Sequence, residues 1–185
     1  DAQWFKFWNH PRENVSWYEA VAFGRWLTAQ WRAGKVKLPA FIRPDYEFRL
    51  PLETEWEKAA AWDAETKQAR VYPWGDAYIN GYANIDETSE GAGPYDLRQT
   101  TAVGIYPQGA APCGALDMSG NVLEWCLNES QSGKVNMRST AARGVRGGSW
   151  SDGPDNARAA YRFDGLPGFR NYLRGFRLVV GRPVS

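Results

Sequence analysis

The stretch DMSGNVLEWC at 117–126 carries residue types and spacing that suit a hard cation. The Asn121 amide oxygen, nearby backbone carbonyls and the Glu124 carboxylate are oxygen donors of the kind Ca²⁺ prefers. The same residues serve equally well as a turn and a carboxylate hydrogen-bonded to a loop backbone. Other chemistries lack carriers. Nucleophile–base catalysis needs an imidazole beside its Ser or Cys, and the one histidine, His10, sits in the polar stretch NHPREN, which suits a solvated or structural role better. Neither C-x-x-C nor H-x-x-x-H occurs, so a zinc site has no ligand set. RGGSW at 146–150 lacks the G-x-x-x-x-G-K-[ST] order that cradles phosphate. Glu53, Glu55 and Glu57 cluster carboxylates, but a solvated helix entrance explains them better than acid–base work.

The elements that must position these groups begin with SWYEAVAFGRWLTAQWRAG at 16–34. Ser16 and Glu19 form an S-x-x-E capping box, and Gly34 is placed to end the helix. Trp17, Val21, Gly24, Leu27 and Trp31 recur at steps of three or four along one face, which puts both tryptophans in the core. A second helix is predicted over LPLETEWEKAAAW at 50–62, with Pro51 at its entrance and Trp56, Ala59 and Ala60 facing inward. Beyond it YPWGD, GYANIDETSEGAGPYD and YPQGAAPCG are dense in Gly, Pro, Asn and Asp and read as long loops. Short strands are predicted at TAVGIY (101–106), NVLEWC (121–126) and GFRLVV (175–180), the last as a buried closing strand.

Composition bounds the rest. At 185 residues with 43% hydrophobic content the chain supports one domain with a sizeable core. Its 10 Trp and 30 Gly plus Pro (19 + 11) favour loops held by aromatic packing over a helical bundle. A net charge of +1 gives no reason to expect nucleic acid, and no apolar run has the length of a membrane span, so a soluble protein is expected. Cys113 and Cys126 are too few for a disulfide framework and are expected as thiols. The chain opens at Asp1 without Met or a signal-like segment, which suits an excised domain and leaves its compartment unread.

The series NVSWYEAVAF, FRLPLETEWEKAA, YPWGD, YANI, GALDMSGNVLEWC, RGVRGGSW, ARAAYR and GFRLVV, in that order over residues 14–180, resembles the formylglycine-generating enzyme, or sulfatase-modifying factor, family. The resemblance implies an α+β fold: a C-type lectin-like fold of the formylglycine-generating enzyme type, with two helices, small antiparallel sheets and extensive irregular loops, as a single domain over 1–185. It implies calcium at the loops matching GNVLEW and YANI, which favours Asn121 and Glu124, adds Val122 by its carbonyl, and adds Asn84 and Ile85. The second helix of the family usually opens with Thr after LP; Leu52 stands there, an expected loss of its cap costing about 1 kcal/mol. Oxidase members carry a copper-binding cysteine pair after the G-G-S-aromatic block, where GGSWSDGPDNARAAYR has none; Cys113 and Cys126 lie elsewhere. Another branch makes sulfur–carbon bonds with an iron site of histidines, which one histidine cannot build. The expectation is therefore no enzyme, no copper or iron, and structural Ca²⁺ as the cofactor.

The frame RGGSW, NARAAYR and GFRLVV within 146–180 is also similar to the variable region of target proteins of diversity-generating retroelements. In those proteins adenine-directed mutagenesis rewrites codons near the C-terminus. The filling of the expected kind is Ser151, Asp152, Gly153, Phe163, Asp164, Gly165, Leu166, Gly168, Phe169, Asn171, Tyr172 and Leu173. The resemblance implies a diversified binding surface for a protein or other macromolecular ligand, with a catalytic family member and an architectural accessory domain as the alternatives. Turn-rich sequence around Phe163, Leu166, Phe169, Tyr172 and Leu173 makes a packed strand or helix face hard to draw, so some of these side chains should be exposed. Exposed aromatics beside Ser, Gly and Asn are what a recognition surface uses. Residues 143–182 hold eight Arg and three Asp, of which Arg158, Arg162 and Arg177 are expected to brace loops through carbonyls.

Overall fold

The capping box forms as its spacing predicts. In the computed structural model, which describes residues 3–184, the first helix, α1, runs Trp17–Arg32. The Ser16 hydroxyl accepts the Glu19 N–H at 3.3 Å and the Glu19 carboxylate accepts the Ser16 N–H at 2.8 Å. Residues 1, 2 and 185, the ends of the expected domain span, lie outside the described residues. Trp17, Ala20, Gly24 and Thr28 make the buried stripe, while Val21, Leu27 and Trp31 are half-buried, so only the first of the two tryptophans is core. Gly24 is needed where α1 meets the chain ahead of it, because a Cβ there would lie 2.8 Å from the Phe48 carbonyl oxygen.

After α1 come β1 (Glu47–Arg49), α2 (Glu53–Ala61), β2 (Trp62–Asp63), β3 (Gln68–Ala69), β4 (Leu123–Glu129), β5 (Arg143–Arg146), β6 (Arg162–Gly165), β7 (Arg174–Gly175) and β8 (Val179–Gly181). The main sheet has the order β6-β5-β4-β7, with β7 parallel to β4 and the other pairs antiparallel. β1 and β8 form a separate antiparallel pair. GFRLVV is thus not one buried closing strand: Gly175 ends β7 against β4, Val179 and Val180 begin β8 against β1, and Phe176–Val180 are half-buried. TAVGIY is not a strand either. It turns at Gly104, φ +76°, leaving Val103 and Ile105 exposed.

The uncapped start of α2 is repaired from a distance. Leu52 offers no side-chain acceptor, but Asn128 Oδ1 on β4 accepts the Glu53 N–H at 2.8 Å and the Glu55 carboxylate accepts the Leu52 N–H at 2.9 Å. The predicted cap loss therefore does not follow. Nor are the helix carboxylates merely solvated: Glu53 binds Arg162 at 2.6 Å, Glu55 binds Arg49 at 2.7 Å, and Glu57 binds Arg146. β1, β5 and β6 each bring an arginine against α2, and these carboxylates meet them.

One core cluster joins Trp17, Leu50, Leu123, Trp125, Leu127 and Val145; a second joins Trp56, Ala60, Met118, Cys126 and Ala159. The three fully buried tryptophans all donate, Trp17 to the Cys126 carbonyl and Trp125 to the Val15 carbonyl at 2.9 Å each, and Trp56 to Glu124 at 2.6 Å. The long loop stretch is held by Glu87, fully buried, which accepts from Tyr78 Oη at 2.6 Å and from the Gly81 N–H at 2.8 Å. No helix among the described residues is long and apolar enough to cross a membrane.

Candidate recognition face

The segment from β5 to β7 is fastened to the rest of the molecule largely through its main chain. The carbonyl of Asp152 accepts the Asp86 N–H at 3.0 Å, that of Pro167 the Trp17 N–H at 3.0 Å, that of Asn171 the Asn14 N–H at 3.0 Å, and that of Leu173 the Leu123 N–H at 2.8 Å. β6 pairs in register with β5, Phe163 opposite Val145. Every residue type has a carbonyl, so these ties hold whatever side chain stands at the position. Ahead of them Gly147 and Gly148 take φ of +96° and +71°, and a Cβ on Gly148 would lie 2.9 Å from the Asn156 carbonyl oxygen.

The side chains of the segment point mostly outward. Ser151, Phe163, Asp164, Leu166, Gly168, Phe169 and Tyr172 are exposed, whereas Asp152, Gly165, Asn171 and Leu173 are half-buried. Gly153 is buried, and a Cβ there would meet Glu90 and Ser89. It is therefore not an outward position. Gly165 is a second exception, since a Cβ would run into the Arg174 guanidinium and Trp125. The Asp152 carboxylate closes a local turn, accepting the Ser149 N–H at 2.9 Å and hydroxyl at 2.6 Å. Residues 163–165 were expected in turn-rich sequence but form the edge strand β6, because β5 offers a free ladder for them.

Sequence reasoning missed part of this face. Trp4 lies 5.7 Å from Tyr172, Tyr172 stacks on Trp150 at 5.9 Å, and Phe5 meets Trp150 edge-on at 5.8 Å. The aromatic run WFKFW at 4–8 was the legible signal. The buried carboxylate of Glu13 accepts the Trp4 and Phe5 N–H groups and so holds that run in place. Trp150 Nε1 is buried beneath the face without a partner. Under the same face, the Arg174 guanidinium lies among Phe169, Trp125 and Phe163 at 4.8, 5.2 and 5.4 Å from their ring centres, and burial lowers its pKa.

The residues expected to hold calcium serve other ends. Glu124 accepts from Trp56 Nε1 at 2.6 Å and from Arg177 at 2.5 and 2.7 Å, so a cation beside it would meet a guanidinium in place of an oxygen shell. Arg177 also donates to the carbonyls of Leu116 and Asp117 at 3.2 and 2.9 Å. Asn121 clamps Thr101, accepting its N–H at 3.0 Å and donating to its carbonyl at 3.2 Å. Val122 and Ile85 are buried. Asn84 donates to the Gln99 carbonyl at 2.9 Å and keeps Oδ1 buried without a partner, one orphan oxygen where calcium needs six or more. The donor set does not fit the ion as expected. Among the described residues no group of three or more His, Cys, Asp or Glu could hold a metal.

His10 Nδ1 lies 2.8 Å from the Thr100 hydroxyl, with its pKa lowered by burial. Burial pushes the Cys126 thiol well up, away from the thiolate, and Cys113 is exposed; both are free. Asp117, Glu124 and Arg177 line a cavity of about 420 Å³ with Leu116, Val103 and Phe176, and burial raises the Asp117 carboxyl above its usual range.

Two helices, small sheets and long bonded loops define an α+β protein of the C-type lectin-like, formylglycine-generating enzyme type. The sequence matches the sulfatase-modifying factor enzyme 1-like domain over residues 4–182, and the chain belongs to that family. It is 33% identical over 187 residues to hercynine oxygenase of Mycolicibacterium thermoresistibile, covering 92% of this chain and 36% of that protein. It is 35% identical over 183 residues to hercynine oxygenase of Mycobacterium tuberculosis, covering 92% and 37%. Treponema denticola variable protein 1 superposes with a TM-score of 0.71 at 25% identity, over 99% of this chain and 76% of that one.

The oxygenases correct one expectation. The missing cysteine pair and the single histidine led to the reading that the chain is no enzyme, yet relatives similar over nearly its whole length are enzymes by name. The chain spans 36–37% of their length. A residue count within so small a share says nothing of the activity of the whole, and the exclusion of copper and iron on that count is withdrawn with it.

Proposed function

We propose that this chain is a ligand-binding domain presenting a diversifiable recognition surface to a protein ligand. The surface consists of Ser151, Phe163, Asp164, Leu166, Gly168, Phe169 and Tyr172, extended by Trp4 and Trp150. The observation that carries this reading is the fastening of 152–173 by backbone carbonyls to α1, β4 and the 86 loop, with the side chains left outward. Tyr, Trp and Phe supply large contact area at low entropic cost, and Ser and Gly adapt around them. The likeness to a variable protein of Treponema denticola supports the same reading.

Sequencing the encoding locus tests it. The expected finding is a near-copy of the coding segment for 146–180 that differs only opposite template adenines, beside a reverse transcriptase gene. A locus with neither overturns the diversified origin. The names of the oxygenase relatives favour a second reading, oxygenase chemistry. Oxygen uptake by the purified protein on addition of hercynine and ferrous iron would establish it.

A further inference from the structure

Four arginines are buried among the described residues: Arg49, Arg143, Arg146 and Arg174. Arg49 binds Glu55, Arg146 binds Glu57 and two carbonyls, and Arg143 donates to three carbonyls. Arg174 differs. Its guanidinium makes one hydrogen bond, from Nη2 to the Asp164 carbonyl at 3.2 Å, while Nε and Nη1 are buried without a partner. The Asp164 carboxylate is turned away and accepts from Ser130 Oγ at 3.2 Å.

Rings take the place of acceptors around it. Trp125 is fully buried, but Phe163 and Phe169 are 48% and 49% exposed, so the charge lies under a two-ring cover on the recognition face. Gly165 backs it, since any Cβ there would collide with Nη1. Cation–π attraction offsets part of the desolvation but satisfies no N–H. A carboxylate supplies both charge and acceptors, and its bonds to a guanidinium are among the stronger polar contacts. A neutral carbonyl would leave the charge unmet.

We propose that Arg174 is the fixed anchor of the recognition face and takes an acidic group of the protein ligand, an Asp or Glu side chain or a C-terminal carboxylate, entering between Phe163 and Phe169. This rests on the recognition reading above and gives the ligand its chemistry. Side chains at 163 and 169 then select what surrounds the acid, and Arg174 demands the acid itself.

The direct test is a titration of the whole chain, followed through the Arg174 Nε–H resonance. The probes are N-acetylglutamate amide, N-acetyl-glycylglycine, N-acetylglutamine amide and inorganic phosphate. The first or second should shift the resonance saturably, and which of them does distinguishes a side-chain acid from a chain terminus. The glutamine probe should not shift it, and R174M should lose the binding by on the order of tenfold or more. No saturable shift with either acid, an equal shift with the glutamine probe, or a stronger one with phosphate overturns the proposal. Replacing the charge by an apolar side chain of similar length preserves the buried packing. Display libraries varied at 163, 164, 166, 169 and 172, built with and without R174M and selected against an acidic peptide, separate the two readings. Binders only with Arg174 support the anchor. Equal recovery sinks the anchor and spares the face; no binders from either library sinks both.

Discussion

Strands β4 and β5 commit buried side chains to the frame, whereas β6 beyond Arg162, which binds Glu53, and the loops leading to β7 are held mainly by their backbone. Glu124 on β4 commits its carboxylate to Trp56 and Arg177, and Arg146 on β5 commits its guanidinium to Glu57, Ala160 and Tyr161. Outside them Pro167, Asn171 and Leu173 give carbonyls to the scaffold, while Leu166, Phe169 and Tyr172 face water. Side-chain bonding makes a position specific to one residue type; backbone bonding leaves it open. One sheet thus joins strands locked by side-chain bonds to a strand and loops whose outward side chains make few of them.

Five measurements break or sharpen that contrast. Glu124→Ala strips the partner from Arg177 inside the frame and should cost about 3–5 kcal/mol in urea unfolding; a loss below about 1 kcal/mol would show that the frame does not depend on it. Gly120→Ala forces a Cβ onto φ +74° and against the Asn84 carbonyl, an expected loss of about 2–3 kcal/mol. Removing the α1 cap by Ser16→Ala should lower stability by about 1 kcal/mol, read from the same unfolding curves.

A smaller effect belongs to Glu19, where frame and face meet. The Arg170 guanidinium, then the Ser16 N–H, hold its carboxyl at about 2 against the usual 4.5. A carboxyl depressed in the folded state stabilises fully above pH 4.5 and loses that contribution as pH falls toward 2. The side chain is 42% exposed, so solvent screening keeps the loss below about 1 kcal/mol, and an Arg170→Gln variant should flatten it. The smallest change is expected on the face: Leu166→Ser and Tyr172→Ser should each leave stability within about 0.5 kcal/mol. A cost of about 2 kcal/mol at either would place that side chain in the frame.

Much of the frame could be read from short-range signals. The S-x-x-E box and Gly34 delimit α1 because their bonds join residues three or four apart, and the order of blocks carried the family and its fold. Leu52 misled for the converse reason: the group that caps α2 lies 75 residues away on β4, out of reach of any local pattern. Calcium failed similarly. Asn121 and Glu124 have the right oxygens, but Thr101 and Arg177, remote in sequence, occupy them. Gly153 and Gly165 looked like variable filling, and only the neighbours Glu90 and Arg174 reveal that they are cramped.

By itself the sequence determined α1, the loop-rich α+β class, the family, and the place along the chain where unpatterned aromatics gather. Tertiary structure decided the pairing of each arginine with a carboxylate, a carbonyl or neither. It also decided that Trp4 joins Tyr172 on one face and that the charge of Arg174 lies unmet beneath Phe163 and Phe169. Capping and turns are settled by backbone geometry over a few residues, but the partner of a buried charge depends on which distant strands share a sheet.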